Sequence, residues 1–273
     1  MTDLDERALL AAYDRQLRPE VPDPVPAGVT VERDGPLARI RGLDKGGFLT
    51  YANLGGLTGA ALDALIRRQV EFFAALGEPV EWKTYGHDEP ADLPDRLRAA
   101  GFVPEDRETV MIGPVAPLAA TLPVPPDGVT LREVTDRADL DRIVAMESEV
   151  WGIDRTWQAA ALEKEIAADS TAITIVVAEA GGQMGGQVVS AAWVRYIRGT
   201  SFATLWGGAT LPAWRGRGIY RALVTHRARL AGARGYTLLQ VDASDDSRPI
   251  LQRLGLVAVT TTTPYVFTPE GAA

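Results

Sequence analysis

Apolar residues in this chain recur at two spacings, and the alternation between them outlines its elements. Leu9, Leu10, Tyr13 and Leu17 repeat at helical spacing, which predicts a short helix near the N-terminus. Apolar runs broken by glycine and proline then predict strands over 29–33, 37–41 and 48–54, a helix over 60–76 and a strand over 80–85. A helix over 91–100 and a strand over 107–113 close the first half. The second half opens with a strand over 129–133. Leu140, Ile143, Met146 and Val150 mark one face of a helix over 138–150, and another helix follows over 156–168. Residues 172–180 and 187–197 read as a hairpin around Gly181-Gly-Gln-Met-Gly-Gly186. A strand over 201–210, a helix over 217–233, a strand over 236–242, a helix over 247–254 and a strand over 256–267 complete the order.

Two proline-rich stretches, 19–26 and 114–126, punctuate this pattern, and the second reads as an inter-domain linker. Each is followed by nearly the same phrase, Gly28-Val-Thr-Val-Glu-Arg33 and Gly128-Val-Thr-Leu-Arg-Glu133. A second echo follows in the same order. A strand, an Asp-containing loop and a short helix lead to Leu97-Arg-Ala-Ala-Gly-Phe102 in one half and to Leu251-Gln-Arg-Leu-Gly-Leu256 in the other. Gly101 and Gly255 sit where a helix end calls for a left-handed residue. Internal duplication accounts for both echoes, and an unrelated α/β cap domain in the first half is the other reading. The expected organisation is an N-terminal helix and linker over 1–27, a first domain over 28–115, a linker over 116–127 and a second domain over 128–273.

Composition narrows the chemistry. At 273 residues the length favours two domains, and 46% hydrophobic with 23% charged residues is ordinary for a soluble globular chain. A net charge of −8 argues against a general nucleic-acid or anionic-membrane binder. The absence of cysteine excludes disulfides, thiolate metal sites and a cysteine nucleophile. His87 and His226 are too far apart to give a metal-ligand spacing, so no metal is expected. The start Met1-Thr-Asp-Leu-Asp-Glu lacks signal-peptide character, and no apolar run approaches the roughly 20 residues of a membrane span. A cytoplasmic location is therefore the expectation.

Against this acidic background stands one arginine cluster. The apolar run Phe202–Ala209 enters Thr210-Leu-Pro-Ala-Trp-Arg-Gly-Arg-Gly-Ile-Tyr-Arg-Ala-Leu-Val224, where a helical pattern begins at once. A strand that stops where a helix starts leaves backbone N–H groups without partners, and glycine lets a ligand approach them. The helix dipole together with Arg215, Arg217 and Arg221 favours a polyphosphate there. A nicotinamide dinucleotide site is a poor match, because the spacing is not Gly-x-Gly-x-x-Gly and the loop follows a late strand.

This segment resembles the pyrophosphate loop of the GNAT (Gcn5-related N-acetyltransferase) family, whose signature is Arg/Gln-x-x-Gly-x-Gly/Ala. The resemblance covers about 140 residues firmly and the first half weakly. It implies an α/β (α+β) acyl-CoA acyltransferase fold: a mixed, mostly antiparallel sheet flanked by helices, here duplicated. The first half would be a degenerate copy, because Leu54-Gly-Gly-Leu-Thr-Gly59 carries no cation where the second half has Arg215-Gly-Arg-Gly218. By the same resemblance Arg215, Gly216, Arg217, Gly218, Ile219 and Tyr220 line the cofactor phosphates, with Tyr220 where the family prefers Gly or Ala. Gly208, Ala209, Thr210 and Leu211 match the strand that holds the pantetheine arm and polarises the thioester carbonyl.

The catalytic groups of the family are not matched. The strand reads Thr204-Leu-Trp-Gly-Gly208 and holds no carboxylate where the family often has a glutamate base, and Leu251 stands in the place of its tyrosine acid. The candidates left are Glu149 and Asp242, with Glu147 and Asp154 as further carboxylates, and each also reads as a solvated face or a cap. Ser247 falls near the family's asparagine, where it either contacts the cofactor or caps a helix. Trp151, Trp157 and Trp206 are candidates for the wall of an acceptor pocket. His226 lies on the apolar stripe of its helix and reads as a packed side chain.

The resemblance implies an acyl-CoA-dependent N-acyltransferase using acetyl-CoA, with direct transfer to the amine of a small molecule or a protein. The alternative is a catalytically silent acyl-CoA-binding module. Neither nucleic acid nor membrane is expected as a partner, and a monomer is slightly favoured over a homodimer.

Overall fold

A computed structural model of the chain describes residues 5–19, 21, 25, 28–43, 46–181 and 186–271. They form two compact units, one taking in residues 1–111, 242–248 and 257–273, the other residues 112–241 and 249–256. The first unit opens with helix α1 (Glu6–Gln16), whose N-terminus is capped by Asp5 through the N–H groups of Arg7 and Ala8. Strands β1 (Thr30–Asp34), β2 (Leu37–Leu43) and β3 (Gly46–Thr50) pair antiparallel in succession. Helix α2 (Gly59–Leu76) crosses to β4 (Val80–Tyr85), which runs parallel to β3 from Gly47↔Val80 to Leu49↔Trp82. Helix α3 (Leu93–Ala99), the two-residue strand β5 (Val103–Pro104) and β6 (Glu108–Pro114) follow.

The second unit begins with α4 (Val115–Ala119) and β7 (Val129–Val134). Helices α5 (Arg137–Trp151) and α6 (Trp157–Ala168) lead to β8 (Ile173–Ala180), β9 (Gln187–Tyr196) and β10 (Phe202–Thr210). Strands β7 to β10 pair antiparallel in sequence order. Every residue of β8 is buried, Thr174 and Glu179 included, with β7 and β9 pairing on either side. Helix α7 (Ile219–Ala233) crosses to β11 (Leu238–Ala243), parallel to β10 over Phe202↔Leu238 to Thr204↔Gln240. Helix α8 (Arg248–Arg253) precedes the last strand, β12 (Val257–Phe267). That strand returns to the first unit, where Thr262–Phe267 pair antiparallel with β4.

The strand orders are therefore β1-β2-β3-β4-β12-β6 in the first unit and β11-β10-β9-β8-β7 in the second. Each unit repeats one plan: an antiparallel meander, a crossover helix, a parallel strand and a short helix. The repeated phrases of the sequence fall on equivalent elements of this plan. Each unit has its own core. Leu49, Phe73, Trp82, Phe102 and Tyr265 centre the first, and Ile143, Val177, Val189, Ile219 and Leu223 the second.

The structure departs from the sequence expectations at several points. The compact units are not the two continuous stretches 28–115 and 128–273, because 242–248 and 257–273 group with the N-terminal unit. The expected linker 116–127 opens inside α4, which buries Val115 and Leu118. Residues 51–54 of the expected strand 48–54 lie beyond β3, in the loop before α2, and α7 starts at Ile219, two residues later than expected. Residues 182–185 of the predicted hairpin turn, and residues 20, 22–24 and 26 of the first proline-rich stretch, lie outside the described residues.

Candidate functional site

The site grows from the parting of two strands. β10 keeps its β9 partner as far as Thr210↔Ser190 but leaves β11 after Thr204. Its register with β9 slips between Gly207 and Ala209, so Gly208 forms a bulge. Gly207 and Gly208 have φ of 69° and 91°. A Cβ on Gly208 would sit 2.7 Å from the ring of Tyr220, and one on Gly207 would sit 2.6 Å from the ring of Trp193. The Tyr220 ring thus lies against the Gly208 backbone. Below the bulge, the Ser190 hydroxyl donates to the Ala209 carbonyl at 2.6 Å and lies 2.9 Å from the Thr210 hydroxyl. Leu211 N–H donates to the Val189 carbonyl at 2.9 Å.

Beyond Leu211 a 3-10 turn over Pro212–Trp214 leads into the arginine-glycine loop. Gly216 (φ 74°) and Gly218 (φ 85°) supply left-handed conformations. Gly218 is the N-cap of α7, so the helix begins with no side-chain cap and with no acidic residue in its first turn. The Ala222 N–H donates to the Gly218 carbonyl at 3.0 Å, and by helical geometry the N–H groups before it have no acceptor within the helix. Arg215 is steadied by its Nε–H on the Thr210 carbonyl at 3.1 Å, and the Arg217 guanidinium stacks 4.8 Å from the Trp214 ring centroid. Arg215, Arg217 and Arg221 are exposed, and among the described residues no carboxylate pairs with them. Cations at a helix N-terminus oppose the dipole, so this arrangement is unfavourable by itself and becomes favourable when an anion binds. The loop thus offers what a diphosphate requires: backbone N–H groups at a helix start and three arginines that pair with no carboxylate among the described residues.

The first unit has the same strand parting and a different filling. Past Leu49↔Trp82, β3 and β4 end beside Tyr51 and Tyr85. The Arg18 guanidinium lies 4.0 Å from the Tyr85 ring centroid and 5.2 Å from that of Tyr51, and pairs with Asp88 at 2.5 Å. Its loop, residues 53–58, turns through Gly55 and Gly56 with no arginine.

The other sequence candidates are dispersed. Asp242 lies in the first unit and forms a 2.5 Å ion pair with Lys83. Ser247 also belongs to that unit. It lies in the turn before α8, with its hydroxyl 3.2 Å from that of Ser244 and donating to the Ser244 carbonyl at 3.3 Å. Glu149 is exposed on α5. Glu147 is buried and pairs with Arg155, and burial outweighs that pairing to raise its pKa. Asp154 caps the turn into α6 through the Thr156 N–H at 2.9 Å, and this bond lowers its pKa.

Trp151 and Trp157 are exposed and flank the α5–α6 connection. A surface hollow of about 660 Å³ lies there, but its walls are Val144, Ser148, Ile153 and neighbours rather than the tryptophans. Trp206 is exposed on β10, its Nε1–H held by the Thr204 hydroxyl at 2.8 Å and its ring under Arg195. Trp151 and Trp157 thus lie at the α5–α6 connection and Trp206 on β10. His226 is half-buried, with Nε2 3.4 Å from a Glu133 carboxylate oxygen. Among the described residues no group of three His, Cys, Asp or Glu side chains is placed to hold a metal, and no helix is long and apolar enough to cross a membrane.

One residue near the loop went unremarked in the sequence. Arg227 of α7 is fully buried, and its guanidinium reaches the carbonyls of Trp193 and Trp206 at 3.0 Å each. The signal was present: Arg227 sits four residues after Leu223 and four before Ala231, on the helix face that is otherwise apolar.

A bulged strand, a glycine-arginine loop without a side-chain cap and a crossover helix together make up this site. Residues 140–256 match the family model described as acetyltransferase (GNAT) family. The whole chain has the fold of a GCN5-related N-acetyltransferase from Kribbella flavida, with a TM-score of 0.65, 17% identity, and coverage of 99% of this chain and 98% of that one. It is similar also to a tandem GNAT protein from the clavulanic acid biosynthesis pathway, with a TM-score of 0.64, 13% identity, and coverage of 96% and 93%. A GCN5-related N-acetyltransferase from Sphaerobacter thermophilus aligns at a TM-score of 0.60 and 13% identity, covering 86% of this chain and 81% of that one. No curated protein matches the sequence.

Proposed function

We propose that the chain is an N-acyltransferase that uses acetyl-CoA and transfers the acyl group directly to an amine of a small molecule or protein. The observation that carries this reading is the loop Arg215–Gly218, three exposed arginines and an uncapped helix start placed just past a bulged, parted strand. Acetyl-CoA, when bound, supplies an activated thioester. Backbone N–H groups of Arg215–Tyr220 and the guanidinium groups hold its diphosphate, and the strand Gly208–Leu211 holds its pantetheine arm. A backbone donor near Ala209 polarises the thioester carbonyl, worth a few kcal/mol in acyl transfer. The amine has to be neutral to attack, and an alkylamine with a pKa of about 10.4 is mostly protonated at neutral pH. Since β10 presents no carboxylate, solvent or the acceptor's own surroundings take that proton. The first unit, its strand parting filled by Arg18, carries no cofactor in this reading.

Leu251 favours a second reading, an acyl-CoA-binding module without turnover. It is fully buried in α8, at the place where the family's proton-donating tyrosine would stand. Calorimetry with acetyl-CoA and a thiol-release assay over an amine panel separate the two. Arg215→Ala should weaken acetyl-CoA binding tenfold or more, matching one charge-assisted hydrogen bond of about 1.5–3 kcal/mol. An unchanged affinity would remove the loop from the site, and saturable binding with no thiol released by any amine would establish the silent module.

A further inference from the structure

The buried Arg227 has no obvious reason to be an arginine on packing grounds. It is 1% exposed, and no carboxylate pairs with it among the described residues. Burying a lone cation is costly, and a methionine or leucine would fill the same space without that cost. Its hydrogen bonds show what the guanidinium adds. Nε–H donates to the Leu223 carbonyl at 3.1 Å on its own helix, while Nη1 donates to the carbonyls of Trp193 on β9 and Trp206 on β10. Trp193 and Trp206 are directly opposed in the β9–β10 register, and Gly207 and the bulge begin one residue later. Burial pulls the guanidinium pKa down to about 10, which leaves it charged at neutral pH.

We infer that Arg227 is a positioning residue that fixes the Gly207–Ala209 bulge to the helix carrying the phosphate loop, so that the bulge amides face the acyl group. The three carbonyls belong to three elements, and no other side chain type offers planar donors that reach all of them from one position. This inference rests on the acyltransferase reading for its consequence but not for its geometry.

The test uses the full chain with Arg227→Met, which removes charge and donors, and Arg227→Gln, which restores amide donors without charge. Hydrogen exchange of the 206–210 segment, measured without ligand, should accelerate tenfold or more in Arg227→Met and less in Arg227→Gln. The kcat for thiol release should fall at least tenfold, and acetyl-CoA affinity by clearly less, since the phosphate loop is untouched and only the strand that holds the pantetheine arm is loosened. Unchanged exchange would overturn the inference, as would an equal loss of affinity and kcat. If Arg227→Met fails to fold by circular dichroism, Arg227→Gln and Arg227→Lys carry the same comparison; failure of all three to fold would make Arg227 a folding requirement and also overturn it. Should the unaltered protein bind no acetyl-CoA, the functional reading falls while the exchange measurement still decides the clamp.

Discussion

Gly208 concentrates two constraints on a single backbone position. Its φ of 91° excludes ordinary side chains, and Tyr220 Cε2 would lie 2.7 Å from any Cβ. Gly208→Ala should destabilise the chain by about 1–3 kcal/mol in urea unfolding. Adding Tyr220→Ala should recover part of that loss by removing the ring while leaving the backbone strain. Equal stability of Gly208→Ala and the parent would mean that the bulge relaxes freely. Residues of this kind were legible in part. The Arg215–Gly218 loop could be singled out because its pattern is local: glycines, arginines and a strand-to-helix change within a few positions. The place taken by the Tyr220 ring could not, since it depends on the strand lying over it. Asp242 was legible as a carboxylate near a strand end but not as the partner of Lys83, which is 159 positions away.

At the level of elements, the start of β6 brings Glu108 into a charged cluster in the first unit. Burial first, and then the neighbouring Asp242 charge, push its carboxyl up to about 7, with Glu81 and Glu105 adding to the rise and Lys83 opposing it. Between the ordinary value of 4.5 and about 7, the folded chain holds a proton that the unfolded chain has released. The stability this group contributes is therefore fully present below pH 4.5 and is lost as pH rises through 7. Glu108→Gln, neutral at every pH, should raise Tm at pH 8.5 and lose that advantage by pH 5. A Tm difference that is the same at both pH values would place Glu108 in water. Elements were otherwise the most legible level, because period and glycine breaks mark them directly. Helix α4 is the instructive failure. Prolines mark residues 114–126 as linker, but Pro117 falls in the first turn of a short helix, where a missing N–H costs nothing.

Across the whole molecule, the division into units follows strand exchange rather than chain order. β12 comes from the far end of the sequence, and its Tyr265 is buried in the core of the first unit with Trp82 and Phe102. A chain ended at Leu256 should lose the native near-ultraviolet signal of Trp82 and expose an apolar surface that binds a hydrophobic dye. Residues 1–111 expressed alone should likewise fail to unfold cooperatively, and a cooperative transition in that fragment would refute the requirement for β12. The sequence correctly ordered the parts but assigned 256–267 to the second domain. Pairing partners are chosen by tertiary fit, which a strand's own residues do not record.

The position of β12 also bears on how the protein is made. Residues up to Met111 of the first unit are synthesised first, yet β4 gains its partner opposite β3 only once Thr262–Phe267 have been made. Until then that edge is unpaired and open to wrong partners, so nascent chains are exposed to aggregation for longer than domains of continuous sequence would be.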